Sequence, residues 1–130
     1  MLNRPKVVRV RLDDERPSIT HHAVISSEVM PPTDIYIIVG CYSDGSPGEV
    51  FIKVGKEGSS MNGMVRAWAT LLSMSLQCGV ELSHIVEKFR GWRFEPSGNM
   101  NNPEIPVCSS IVDYVVRWLA IKFGGQKYDS

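Results

Sequence analysis

The residues with the most chemical potential form one run, Phe89–Arg90–Gly91–Trp92–Arg93–Phe94, followed by Asn99, Asn101 and Asn102. Aromatic rings interleaved with arginine can stack on a planar base and pair with phosphate, and asparagine amides can read base or ribose edges. Taken singly, Phe89 and Trp92 could equally be core residues and Arg90 a solvated one. As a cluster on a loop supported by two helices, the run is better explained as a ligand site. A second candidate, Gly55–Lys56–Glu57–Gly58–Ser59–Ser60, links a strand to a helix. Its small residues expose backbone N–H groups at a helix N-terminus, with Lys53 and Lys56 nearby, and such a place favours anions. It departs from the glycine-rich phosphate loop that ends in Gly-Lys-Ser or Gly-Lys-Thr, and capping by Ser59 or Ser60 is the simpler explanation.

Catalysis has little support. His21 and His22 adjoin on a predicted strand, so they face opposite sides and do not share a site. No Gly-x-Ser-x-Gly elbow and no His-Glu-x-x-His helix occurs. The pair Asp13–Asp14 falls at a polar turn, where solvation accounts for it. Cys41, Cys78 and Cys108 are odd in number and far apart, with neither CxxC nor zinc spacing. They read as small core residues in a reducing compartment, which makes a cytoplasmic location the expectation. No catalytic residue, metal or cofactor is assigned.

The elements that must position these groups divide into a strand-rich half and a helix-rich half. Residues 6–12 alternate Val8, Val10 and Leu12 with Arg9 and Arg11, the pattern of an amphipathic strand. A second strand is expected over 18–25 and a central one over 34–42. The turn Ser43–Asp44–Gly45–Ser46–Pro47–Gly48 then returns the chain as a hairpin partner over 49–54. Helical spacing follows over 60–78, with Met64, Ala67, Trp68, Leu71, Leu72 and Ser75 on the inner face and Gly79 as the stop. A short helix spans 82–90 and ends at Gly91, with Leu82, Ile85, Val86 and Phe89 inward. Residues 92–105 read as a structured loop. Ser109 or Ser110 caps a last helix through Phe123, with Ile111, Tyr114, Val115, Trp118 and Leu119 on one face. The sum is an α+β fold, an antiparallel sheet with about three helices.

Its 130 residues, 43% of them hydrophobic, suit one packed domain over 1–130, with 125–130 expected to fray. Lys plus Arg and Asp plus Glu both total 14, so the basic excess of a protein that coats DNA or RNA duplexes is missing. No stretch approaches the roughly 18 apolar residues of a membrane span. Zero net charge removes one barrier to self-association, and a central strand apolar on both faces leaves one face to pair with another subunit.

Several long runs resemble a known family. They are Arg11–Leu12–Asp13–Asp14–Glu15–Arg16–Pro17–Ser18–Ile19–Thr20, Gly48–Glu49–Val50–Phe51–Ile52–Lys53–Val54 and Glu87–Lys88–Phe89–Arg90–Gly91–Trp92–Arg93–Phe94–Glu95–Pro96–Ser97–Gly98. With Asn102–Pro103–Glu104–Ile105–Pro106, Ser110–Ile111–Val112–Asp113–Tyr114 and Arg117–Trp118–Leu119, they are similar to the C-terminal TSCPD-type domain of B12-dependent ribonucleotide reductases. The catalytic barrel, the radical and reductant cysteines and the dithiol tail have no counterpart, so reductase activity is not implied.

A chain of this size and pattern also resembles the phage anti-Thoeris sponges, the Thoeris anti-defence protein one family. Members bind cyclic ADP-ribose isomers without degrading them, and some also hold cyclic di- or trinucleotides as a hexamer. This resemblance implies a non-enzymatic sponge in the host cytosol, a dimer-based homo-oligomer extending to a hexamer. It places base stacking on Phe89, polar contacts on Asn99 and phosphate pairing on Arg117. The residue pattern adds Arg90, Arg93, Asn101, Lys56 and Ser59 to the expected ligand set. The alternative is a stand-alone accessory, nucleotide-binding domain of a B12-dependent ribonucleotide reductase.

Overall fold

Apolar residues at every second position build a sheet, and helices cover the face those residues share. The computed structural model describes residues 3–55 and 59–124. Within them the order is β1 (Ser18–Ser26), β2 (Thr33–Cys41), β3 (Pro47–Val54), α1 (Ser60–Gln77), α2 (Leu82–Phe89), β4 (Gly98–Asn102), β5 (Ile105–Cys108) and α3 (Ile111–Phe123). The strands form one antiparallel sheet in the order β3-β2-β1-β4-β5. This is the expected α+β arrangement, with β1 rather than β2 at its centre. Ala23, Ile25, Ile35, Ile37, Val39, Val50, Ile52 and Val54 join residues of all three helices in one buried cluster. The alternate residues look away from it, leaving Tyr36, Ile38 and Phe51 40%, 39% and 55% exposed.

The structure departs from the sequence pattern in three places. The first is α1, which turns Asn62, Val65, Ala69, Leu72 and Gln77 inward and leaves Met64 73% and Leu71 63% exposed. Its neighbour β3 is an edge strand whose outward backbone groups need partners. Val54 N–H donates to Asn62 Oδ1 (3.1 Å), Val50 N–H donates to Ser73 Oγ (2.8 Å), and Gln77 Nε2 donates to Gly48 O (2.9 Å). The polar side chains take the place of a further strand, and that requirement sets the rotation of the helix.

The second is the segment 6–12, which has strand-like alternation but joins no ladder. The β3 edge it would need is occupied by α1. It is instead strapped over the end of that helix: Val10 N–H donates to Gln77 O (2.9 Å), Arg9 Nε to Gln77 Oε1 (2.5 Å) and Tyr42 O–H to Val10 O (2.5 Å). The third is the expected loop over 92–105, which holds β4 and begins β5. Asparagine-rich β4 has low strand propensity, yet Ile25 and Ser26 of β1 pair with its Met100 and Asn99. Gly98 permits the approach. It has φ +144°, and a Cβ there would lie 2.4 Å from Ser26 O.

Because Asn62 is buried and holds a buried N–H, Asn62→Leu should cost about 1–3 kcal/mol of unfolding free energy in urea titration. Leu71→Gln, on the face that the apolar spacing wrongly turns inward, should change it by less than about 0.5 kcal/mol.

Candidate functional site

The start of α3 organises the surroundings of the 89–94 run. Ser110 caps the helix by accepting from Asp113 N–H (3.0 Å). Asp113 is buried, and its Oδ1 accepts from Gly91 N–H at 2.6 Å. Its Oδ2 accepts from Ser109 N–H at 2.9 Å and from Arg117 Nη1 at 3.1 Å. Gly91 can present its N–H this way because φ +81° is accessible to glycine at little cost. Arg117 is only 3% exposed, and its Nη1 also donates to Val107 O on β5 (2.8 Å). Its Nε is buried without a hydrogen-bond partner among the described residues.

Two clefts flank the loop. A polar one of about 390 Å³ is lined by Arg90, Gly91, Val107, Ser109, Asp113 and Arg117. An apolar one of about 330 Å³ is lined by Met64, Trp68, Phe89, Trp92, Phe94 and Val112, among others. Phe89 sits edge-on to Trp68 (5.5 Å) and tilted against Trp92 (5.2 Å). It is half-buried, whereas Trp92 is 51% exposed. Cys108 borders the polar cleft, and burial pushes its thiol up to about 11, which leaves it protonated and unreactive near neutrality.

The sequence-derived candidates separate on this geometry. Phe89, Arg90 and Arg117 line the two clefts, whereas Arg93 is exposed and lines neither. Asn99 and Asn101 lie on β4, exposed either side of buried Met100, and line neither cleft. Asn101 Oδ1 accepts from Val24 N–H (2.8 Å), fastening β4 to β1. Ser59 caps α1 by accepting from Asn62 N–H (3.1 Å), the simpler of the two readings of that turn. Lys56 lies outside the described residues. The spacing of Arg117 from the Tyr114–Trp118 stripe suggests a side chain free to reach a loop; the structure ties it to Asp113 and β5, so it also supports the fold. Sequence reasoning missed Asp113, although Ser110–Asp113 has capping-box spacing and Asp113–Arg117 has the i,i+4 spacing of a helical ion pair.

His21 and His22 do face opposite sides of the sheet. His22 stacks on Tyr36 (4.6 Å) and meets Asp34 at 2.7 Å on the open face. His21 stacks on Trp118 (4.7 Å) and lies 2.7 Å from Tyr114 Oη. Asn102 Nδ2 also donates to that oxygen (3.1 Å). Among the described residues no group of three or more His, Cys, Asp or Glu could hold a metal ion. None of the described helices is long and apolar enough to cross a membrane.

Comparison with known proteins fits these landmarks, for the TSCPD domain model matches residues 6–123. The chain belongs to the TSCPD domain family. This TSCPD domain is 45% identical over 115 residues to a vitamin B12-dependent ribonucleotide reductase of Rhodopirellula baltica, covering 88% of this chain and 11% of that one. It is 40% identical over 116 residues to the reductase of the same name from Streptomyces avermitilis (89% and 12% covered). With that of Agrobacterium fabrum the identity is 35% over 119 residues (91% and 9% covered). The chain thus spans about a tenth of the length of these relatives. No solved structure matches it.

Arg117→Ala leaves the Asp113 carboxylate buried beside a void, so it should cost about 3 kcal/mol or more and lower the melting temperature. Burial holds His21 below its ordinary 6.5, with the charges of His22 and Lys122 adding to the effect. The unfolded chain therefore binds this proton first, so the stability from neutral His21 is complete above 6.5 and is lost as pH falls through the folded value. His21→Gln cannot titrate. Its melting temperature should run parallel to that of the wild type above about pH 7 and converge on it as pH falls below 6.5. Parallel curves throughout would show that His21 is not involved.

Proposed function

We propose that this TSCPD domain binds a nucleotide-like anion at the 89–94 loop, as an accessory domain of a B12-dependent ribonucleotide reductase system. The observation that carries this reading is the buried Nε of Arg117, unpartnered among the described residues, in the polar cleft that Arg90 also lines. A buried donor without an acceptor costs about 1–3 kcal/mol, and an anionic oxygen would supply the missing partner. A guanidinium suits phosphate because its planar fork can engage two oxygens. Beside it, the apolar cleft offers the exposed ring of Trp92 to a base. The relatives named as reductases share this domain at 35–45% identity, which favours the accessory role over a free sponge.

Calorimetric titration with nucleoside di- and triphosphates and cyclic ADP-ribose isomers tests the proposal. One of the nucleotides should bind. Arg117→Lys keeps charge and bulk but loses the fork, so it should weaken that binding by about 2 kcal/mol or more. Trp92→Ala should cost about 1–3 kcal/mol of affinity. If only a cyclic ADP-ribose isomer is retained, and heating releases it intact, the accessory reading fails and the sponge reading replaces it. Binding of none of these compounds would end both.

A further inference from the structure

A second ligand-competent surface lies along the α1–β3 edge and shares no lining residue with the clefts at the 89–94 loop. Two cavities of about 410 and 240 Å³ run into each other there, with Phe51, Ile52 and Arg66 in both. Arg9, Arg66 and Lys53 line this groove, and Glu49, the one lining carboxylate among the described residues, is ion-paired to Arg16. Arg9 and Arg66 thus place two guanidinium groups along this groove, in a chain whose formal net charge is zero.

Planar rings occupy the adjoining open face of the sheet. His22 of β1 stands opposite Tyr36 of β2, and Phe51 of β3 pairs with Ile38, one diagonal step from Tyr36. His22 stacks on Tyr36 with the rings 20° from parallel. Asp34, the nearby acid, is engaged by His22. Three successive strands thus present rings on an uncovered face, and cations border those rings on the β3 side.

We propose that this face binds short single-stranded nucleic acid, with bases stacked on Phe51 and Tyr36 and phosphates following Lys53, Arg66 and Arg9. The cations are strung out, not clustered. Arg9 is anchored on Gln77, about 16 Å along α1 from Arg66 at 1.5 Å per residue. That spacing suits a run of phosphates better than a mononucleotide. Stacking on side-chain rings requires unstacked bases, which a duplex does not offer. A second protein copy is the less suitable occupant, because protein interface centres are depleted of charge and here cations border the rings.

The test is fluorescence anisotropy of the full chain with a labelled oligothymidylate of about 12 nucleotides, within the span of single-domain sites. Saturable binding is expected, with log affinity falling against log salt at a slope of about −2 for three phosphate contacts. Phe51→Leu keeps an apolar side chain but removes the ring, and should weaken binding about five- to a hundredfold. Arg66→Gln should reduce the slope by about 0.7. Both residues are exposed, so both variants should melt with the wild type. Lys88→Gln removes a charge elsewhere on the surface and should alter neither affinity nor slope. Absence of binding at low salt, equal affinity for a duplex of the same length, or unchanged affinity in Phe51→Leu would each overturn the proposal. So would sedimentation showing that Phe51→Leu dissolves a dimer while oligonucleotide binding is unaffected.

Discussion

The loop, the last helix and the outer strand are held together by one buried carboxylate. Asp113 can remain charged away from water only if donors surround it, and they come from three directions. Gly91 N–H fixes the exit from α2, Ser109 N–H fixes the entry to α3, and Arg117 carries the attachment on to Val107 of β5. The wall of the polar cleft is therefore set by electrostatics rather than by apolar contact. Such a network is unforgiving, since loss of one member leaves the others desolvated and unpaired. It also leaves Arg117 Nε without a hydrogen-bond partner among the described residues, so the structural core of the loop is also its chemically incomplete point.

Where apolar pattern and burial coincide, the sequence was legible. The β1–β2–β3 meander, α2 and α3 follow from alternation, turn chemistry and capping by Ser110. The failures share one cause. Partners for the backbone of an edge strand are non-local, so no periodicity reveals that Asn62, Ser73 and Gln77 will face β3 or that the Val8–Val10 segment will find its edge taken. β4 escaped notice for a related reason. Its asparagines have poor strand propensity, and pairing with β1 through Ile25 and Ser26 overrides that preference.

The candidate site was legible as a neighbourhood but not as a division of labour. Aromatic and arginine content pointed to the loop where Phe89 and Arg90 line clefts. It could not show that Asn99 and Asn101 stand in a strand, or that Asn101 spends its amide oxygen on Val24 N–H. Asp113 had a local signature in its spacing from Ser110 and Arg117. Acidic residues at helix starts are so often simple caps that the spacing alone did not single it out.

The packing of the rings distinguishes Phe89 from Trp92 within the proposed site. Phe89 contacts both Trp68 and Trp92 and is half-buried. Trp92 is the more exposed of the pair, so a base entering the apolar cleft would lie on Trp92, with Phe89 holding that indole in place from below. The two arginines divide in the same way. Arg90 is exposed at the cleft rim, where its charge can attract an anion but is screened by salt. Arg117 is desolvated and already oriented by Asp113, so contact with it would be stronger and more directional. Under the proposed anion binding, attraction at the rim and recognition at depth would therefore fall to different residues of one cleft. Their alignment depends on Gly91, whose N–H joins the loop carrying Arg90 to the carboxylate that orients Arg117.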